Sequence, residues 1–133
     1  MPKFALKCIQ EITGKIKFYS LVINGISEFD VFFNSINSDK ILRKQLSRIQ
    51  SICEQLSDIK SLPEEKFRQI LPIEDNVKAY EIKTRDLRVY LFHLNKIGYI
   101  IVCGGKKNNQ DDDVRQFKSI KKSYLQFQSL IKK

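Results

Sequence analysis

The sequence predicts an α+β domain: a single antiparallel sheet with helices packed mainly on one face, plus an N-terminal β-hairpin. Three observations lead to the α+β reading. The stretch Lys78–Lys107, KAYEIKTRDLRVYLFHLNKIGYIIVCGGKK, divides into three short runs in which apolar residues alternate with lysine, arginine and tyrosine, the period of a strand with one wet side. A run near the N-terminus, KIKFYSLVI, is rich in β-branched and aromatic residues, which suit a pleated surface. Elsewhere apolar residues recur at three- and four-residue spacing, the period of a helix. The order β-β-α-α-β-β-β-α is met by one sheet with helices against it, leaving the other face or a groove beside it open to a ligand.

Each element has a local cause. Residues 3–12 and 15–24 read as two strands joined at Thr13-Gly14, and Asn24-Gly25 closes the second as a turn. Ser27 is placed to cap a helix over EFDVFFNSI, with Glu28 and Asp30 at its positive end. Phe29, Phe32, Phe33 and Ile36 share one side of that helix and read as core. Asn37-Ser38-Asp39 starts a second helix, where Leu42, Leu46, Ile49, Cys53 and Leu56 form the apolar stripe. Lys40, Arg43, Lys44, Gln45 and Arg48 make its wet face. Pro63 opens a short helical turn, PEEKFRQI, ended by Leu71-Pro72. Strands follow at 77–84, 87–94 and 98–104, with a tight link at Lys83–Asp86 and a hairpin turn at Asn95–Gly98. The tail from Asp111 to Lys133 is helical, with Asp111, Asp112 and Asp113 at its start and lysines at its end.

The chain has 133 residues and a net charge of +9, from 24 Lys+Arg against 15 Asp+Glu. The length suits one domain over 1–133, and no linker divides it. The charge favours a polyanionic partner. Three cysteines far apart and a single histidine argue against a disulfide framework or a structural zinc site. The cysteines read as reduced, packed thiols in a cytoplasmic protein. No apolar run approaches the roughly 20 residues that span a bilayer. The N-terminus lacks the pattern of a secretion signal, so no membrane partner is expected. Asp111–Asp113 read as helix-start charges, because three adjacent carboxylates do not converge on one ion; neither metal nor cofactor is expected.

Strand alternation places Glu81 and Lys83 on one side of their strand, and Arg88 with Tyr90 and Phe92 on one side of the next. Were Lys83, Arg88 and Tyr90 to meet on an open face, two cations and an aromatic would stand together. Lys106 and Lys107 leave the third strand over the same area, after Gly104-Gly105. Such a cluster can act on RNA without metal. The 2′-oxygen attacks the adjacent phosphate, cations stabilise the developing charge, and a carboxylate, a neutral lysine or a tyrosinate takes the proton. Tyr90 in such a place is more often a packing residue on a half-buried strand than a catalytic one, and His93 has no partner that would make it catalytic.

The segment YEIKTRDLRVYLF…GYIIVCGGKKNNQDDDVRQF, preceded by two helices, resembles the RelE/ParE toxin superfamily, and most of all its phage-derived HigB-like branch. The shared features are a strand "x-x-I-K", a strand beginning with arginine, an apolar strand ending in glycine and a lysine pair (Gly104-Gly105-Lys106-Lys107 here), and a helix after a polar loop. The resemblance implies the toxin of a type II toxin–antitoxin system: an mRNA endoribonuclease, metal-independent and ribosome-associated, held by a cognate antitoxin. Carried onto this chain, it implies that Lys83 activates the nucleophile or holds phosphate. Arg88 would stabilise the transition state, and Lys107 would lie near the leaving group. Glu81 stands where some members carry lysine. The tyrosine that many members place at the last helix is replaced here by NNQDDD, leaving Tyr90, Tyr124 or Glu81 for proton transfer. Arg85, Lys106, Arg115, Lys118, Lys121 and Lys122 are the further RNA-contact candidates. A non-catalytic relative that binds a protein such as DNA gyrase, a basic RNA-binding domain, or an adaptor for an acidic protein are the alternatives.

Overall fold

The computed structural model of the chain describes residues 2–58, 65–72 and 75–131. The fold is α+β, with one open, mixed and mostly antiparallel sheet and three helices. The strands are β1 (Phe4–Cys8), β2 (Phe18–Ile23), β3 (Ile26–Ser27), β4 (Phe67–Gln69), β5 (Ala79–Lys83), β6 (Leu87–Leu94) and β7 (Gly98–Lys106). The helices are α1 (Glu28–Ile36), α2 (Lys40–Ser57) and α3 (Gln110–Ile131), the last entered through a 3-10 turn at Lys107–Asn109. Spatial order is β1-β2-β7-β6-β5-β4, with β3 against β2.

Two features depart from the sequence expectation. The sheet is not wholly antiparallel, because β2 runs parallel to β7, with Phe18 beside Tyr99 and Ser20 beside Ile101. Nor are the helices confined to one face. One core joins α1 and α2 to Phe18, Ile82, Leu87, Val89, Leu91 and Ile101. A second joins α3, through Phe117 and Tyr124, to Leu21, Tyr90, Phe92, Leu94 and Ile100 on the reverse side. The physical reason is visible in β6: Val89, Tyr90, Leu91 and Phe92 are four apolar residues in a row, so both sides of that strand need cover. A bulge adds to this. Tyr90 pairs with Cys103 and Leu91 with Ile101, leaving Val102 unpaired and turning both Val102 and Cys103 toward α3.

β1 and β2 pair antiparallel and belong to this same sheet. Their connection is longer than a tight turn, because the chain leaves the ladder to bury Ile12 and pack Ile9 in the α2-side core. It is clasped to the end of α2 by Ile16 N–H donating to Ser57 O at 2.9 Å and Ser57 Oγ donating to Ile16 O at 2.7 Å. Asn24 and Gly25 both have positive φ, 50° and 83°, which turns β2 tightly into β3. Ser27 Oγ accepts from Asp30 N–H at the start of α1, and Asp39 caps α2 by accepting from Ile41 and Leu42 N–H. Cys53 is buried but Cys8 is exposed, so the expectation that every thiol is packed fails at the edge strand.

The expected helical turn PEEKFRQI is a strand over Phe67–Gln69; Pro63 lies outside the described residues. Pairing decides this segment: Phe67 lies opposite Ile82 and stacks on Tyr80 with centroids 4.6 Å apart. No helix among the described residues is long and apolar enough to cross a membrane.

Candidate functional site

The tight turn between β5 and β6 ends the sheet beside α2. Around it opens a groove of about 500 Å³ whose walls include Arg48, Lys66, Lys83, Arg85 and Arg88, five cations against one carboxylate, Glu65. Lys83 and Arg88 are direct cross-strand partners on the last rung of the β5–β6 ladder. Partners opposite each other in a ladder project to the same side. Among the described residues, neither meets a carboxylate. Arg88 Nη1 donates to the carbonyls of Thr84 at 2.7 Å and Leu87 at 2.8 Å, which fixes the guanidinium over the turn. Its Nε is buried without a partner among the described residues.

The turn is held from α2 by Gln45, which is buried rather than on the wet face the sequence suggested. Its Oε1 accepts from Thr84 Oγ1 at 2.6 Å and Asp86 N–H at 2.8 Å, and its Nε2 donates to Asp86 Oδ2 at 2.7 Å. That last bond, with help from Arg85 and Lys107, holds the Asp86 carboxyl below its ordinary pKa against the opposing effect of burial. Helical spacing carried a signal here: Gln45 is three residues from Leu42, four from Ile49 and seven from Ile52, inside the apolar stripe. Arg48 and Lys66 were also not singled out for this groove by sequence.

The other expected site residues divide into three groups. Arg85 is exposed on the groove and pairs with Asp86. Lys106 and Lys107 are exposed at the same end of the sheet but outside the groove walls; Lys107 N–H donates to Asp86 O at 2.9 Å, anchoring the 3-10 turn beside the β5–β6 turn. Glu81 and Tyr90 are buried between the sheet and α3, so Tyr90 does not join Lys83 and Arg88 on an open face. Glu81 accepts from Arg68 Nη2 at 3.1 Å and Gln110 Nε2 at 2.6 Å. The Tyr90 hydroxyl has no partner among the described residues, and burial, then Glu81, Asp113 and Cys103, push its pKa up while Arg88 opposes them. The Asp113 carboxyl is raised by burial and by Asp112 despite a bond from Asn109. Gly105 makes room for it, since a Cβ there would lie 1.9 Å from Asp113 Oδ2.

The third group lies along α3, which covers the reverse face of the sheet. Arg115 pairs with Asp112 one turn back. Lys121 is buried and donates to Asp75 Oδ1 at 2.8 Å and Val77 O at 2.6 Å, so it fastens the helix to the chain before β5. Lys118 and Lys122 stand beside it on a cavity of about 180 Å³. Tyr124 is buried against Phe92 and Phe4. His93 lies against Tyr99, and burial lowers its pKa. No family model, curated protein or solved structure matches the chain.

Proposed function

We propose that this chain is a toxin of RelE/HigB type that cleaves mRNA without a metal, works in the cytoplasm in association with the ribosome, and is held by a cognate antitoxin. The observation that carries the reading is the pairing of Lys83 with Arg88 on one rung, inside a groove whose walls hold five cations and one carboxylate. A phosphodiester is the ligand such walls suit, because each cation left without an acidic partner keeps its charge for the phosphate. Arg88 is tied to two backbone carbonyls and needs no reorganisation to stabilise a charge that develops on phosphorus oxygens. Lys83 holds the phosphate or the attacking 2′-oxygen beside it. Lys106 and Lys107 extend the positive surface along the strand.

A second reading is favoured by one specific feature. The carboxylate and tyrosine that would move protons, Glu81 and Tyr90, lie beneath α3. On that reading the groove binds RNA, or an acidic face of a protein target, without cutting. Expression of the chain in growing cells, followed by primer-extension mapping of mRNA, separates the two. Discrete cuts that depend on translation and vanish in both Lys83→Ala and Arg88→Ala support cleavage. Growth inhibition without cuts supports binding alone. Cuts and toxicity that persist in Arg88→Ala overturn the assignment of the groove.

A further inference from the structure

Cleavage of RNA at the groove requires a proton acceptor, because the 2′-hydroxyl loses its proton as its oxygen attacks phosphorus. Glu81 and Tyr90 are closed off beneath α3. One carboxylate stands on the groove itself, Glu65. We propose that Glu65 is the general base of the reaction, an assignment that rests on the ribonuclease reading of this groove. Glu65 directly precedes Lys66, and Lys66 O accepts from Lys83 N–H at 2.8 Å, just beyond the rung where Phe67 faces Ile82. Glu65 therefore stands one residue past Lys83, at the end of the sheet that carries Thr84, Arg85 and Arg88, and it lines the groove with them.

Glu65 is exposed, so a substrate meets it without any opening of the fold. Its carboxylate has no hydrogen-bond or ion-pair partner among the described residues, although five cations share the walls. Both oxygens are thus free to accept a proton. Lys83 is likewise without an acidic partner, and Arg88 is held by two carbonyls. A base, a mobile cation and a fixed guanidinium are the set that lets in-line attack at phosphorus run on side chains. A groove that only bound RNA would hold phosphate better without a negative charge on its wall. In the step itself, Glu65 takes the proton of the 2′-hydroxyl while the 2′-oxygen bonds to phosphorus. The bond from phosphorus to the 5′-oxygen breaks, and that oxygen takes a proton from water. The products are a 2′,3′-cyclic phosphate and a 5′-hydroxyl, and Glu65 returns its proton to the solvent.

The test uses the full chain, in excess over ribosomes carrying an mRNA, with cleavage followed under single-turnover conditions as the chain's concentration rises. Glu65→Ala is expected to lower the maximal rate about 10²–10⁴-fold. The concentration giving half the maximal rate is expected to hold or to fall, because a charge that repels phosphate is gone. Added formate supplies a carboxylate in place of the missing one. It is expected to raise the rate of Glu65→Ala at least about ten-fold and to leave wild type and Arg88→Ala unchanged. A loss that formate does not restore, or a weaker half-maximal concentration with an unchanged maximal rate, would overturn the assignment. Wild type that cleaves and Glu65→Ala that cleaves as fast would overturn this proposal alone. Wild type that leaves the mRNA whole would overturn the ribonuclease reading, and the assignment with it.

Discussion

Gln45→Met tests whether one buried amide holds the turn that carries the cations. Methionine keeps the length and stem of glutamine and removes both polar ends. The bonds lost at Oε1 come from Thr84 Oγ1 at 2.6 Å and Asp86 N–H at 2.8 Å. At about 1 kcal/mol each they amount to about 2 kcal/mol, of which the better apolar fit of methionine returns a fraction. A loss of at least about 1 kcal/mol is expected, or a fall in Tm of about 3–5 °C for each kcal/mol in a chain of this size. Urea unfolding followed by far-UV circular dichroism measures it. The pH dependence has a definite sign. Gln45 lowers the folded pKa of Asp86, so that contribution is present above the unfolded carboxyl value and fades as pH falls through the folded one. The gap between wild type and Gln45→Met therefore narrows in acid. Unfolding curves that coincide at pH 7 would refute the view that this amide fastens the turn.

Four further outcomes are expected. Gly98→Ala should cost more than about 2 kcal/mol by urea unfolding, because Gly98 has φ +134° and a Cβ would lie 2.2 Å from the rigid Lys17 carbonyl oxygen. A disulfide reagent at pH 8 should titrate one thiol in the native chain, Cys8, and all three after denaturation, since burial raises Cys53 and Cys103 to about 12. Asp113→Asn should stabilise the fold at neutral pH. Asp113 has a folded pKa above its unfolded value, so its ionised form opposes folding, and the gain should shrink as pH drops through the raised value in a pH series of unfolding curves. Lys121→Met should lower stability by about 2 kcal/mol, by releasing Asp75 and the Val77 carbonyl, and, if the proposed groove binds RNA, leave that affinity unchanged for the folded fraction in filter-binding assays.

The elements were legible because their signals are local. Ser27 and Asp39 announce two helix starts by side-chain chemistry alone, and Asn24-Gly25 announces a turn that needs positive φ. The layering was less legible, although the evidence was present. VYLF in β6 and IIVC in β7 are continuous apolar runs, the mark of strands covered on both sides, but the neighbouring cations drew attention to a one-sided alternation. The parallel pairing of β2 with β7 joins residues 81 apart and leaves no local trace. The strand at Phe67–Gln69 is set by contact with Ile82 and Tyr80, which outweighs the helix-start signal of the preceding segment. At the groove, Lys83 and Arg88 could be paired by counting along the hairpin. Gln45 could have been recognised only by taking its place in the apolar stripe more seriously than its polarity.

The burial of Glu81 and Tyr90 changes what the groove can be asked to contribute. A positioned acid or base supplies typically 10²–10⁴-fold in rate, while fixed cations act on the charge of the transition state separately. Arg88 Nη1 bonds two carbonyls of the turn, and Arg88 also acts electrostatically on the Tyr90 hydroxyl. Its charge therefore reaches two places, the Tyr90 hydroxyl in the polar cluster beneath α3, where it opposes the rise in pKa, and the groove, which it lines. Removing it should harm both, whereas Lys83, exposed enough to line the groove and bonded to none of that cluster, should affect the groove alone. A nuclease that relied on charge stabilisation without a positioned base would lose most of its rate with either cation. It would stay nearly insensitive to Glu81→Gln measured on the folded fraction. A nuclease that draws on Glu81 through an opening of α3 would lose rate with Glu81→Gln as steeply as with Lys83→Ala. The comparison of those two variants, at equal folded concentration, is thus the measurement that assigns the proton-transfer step to the cluster or removes it from the mechanism.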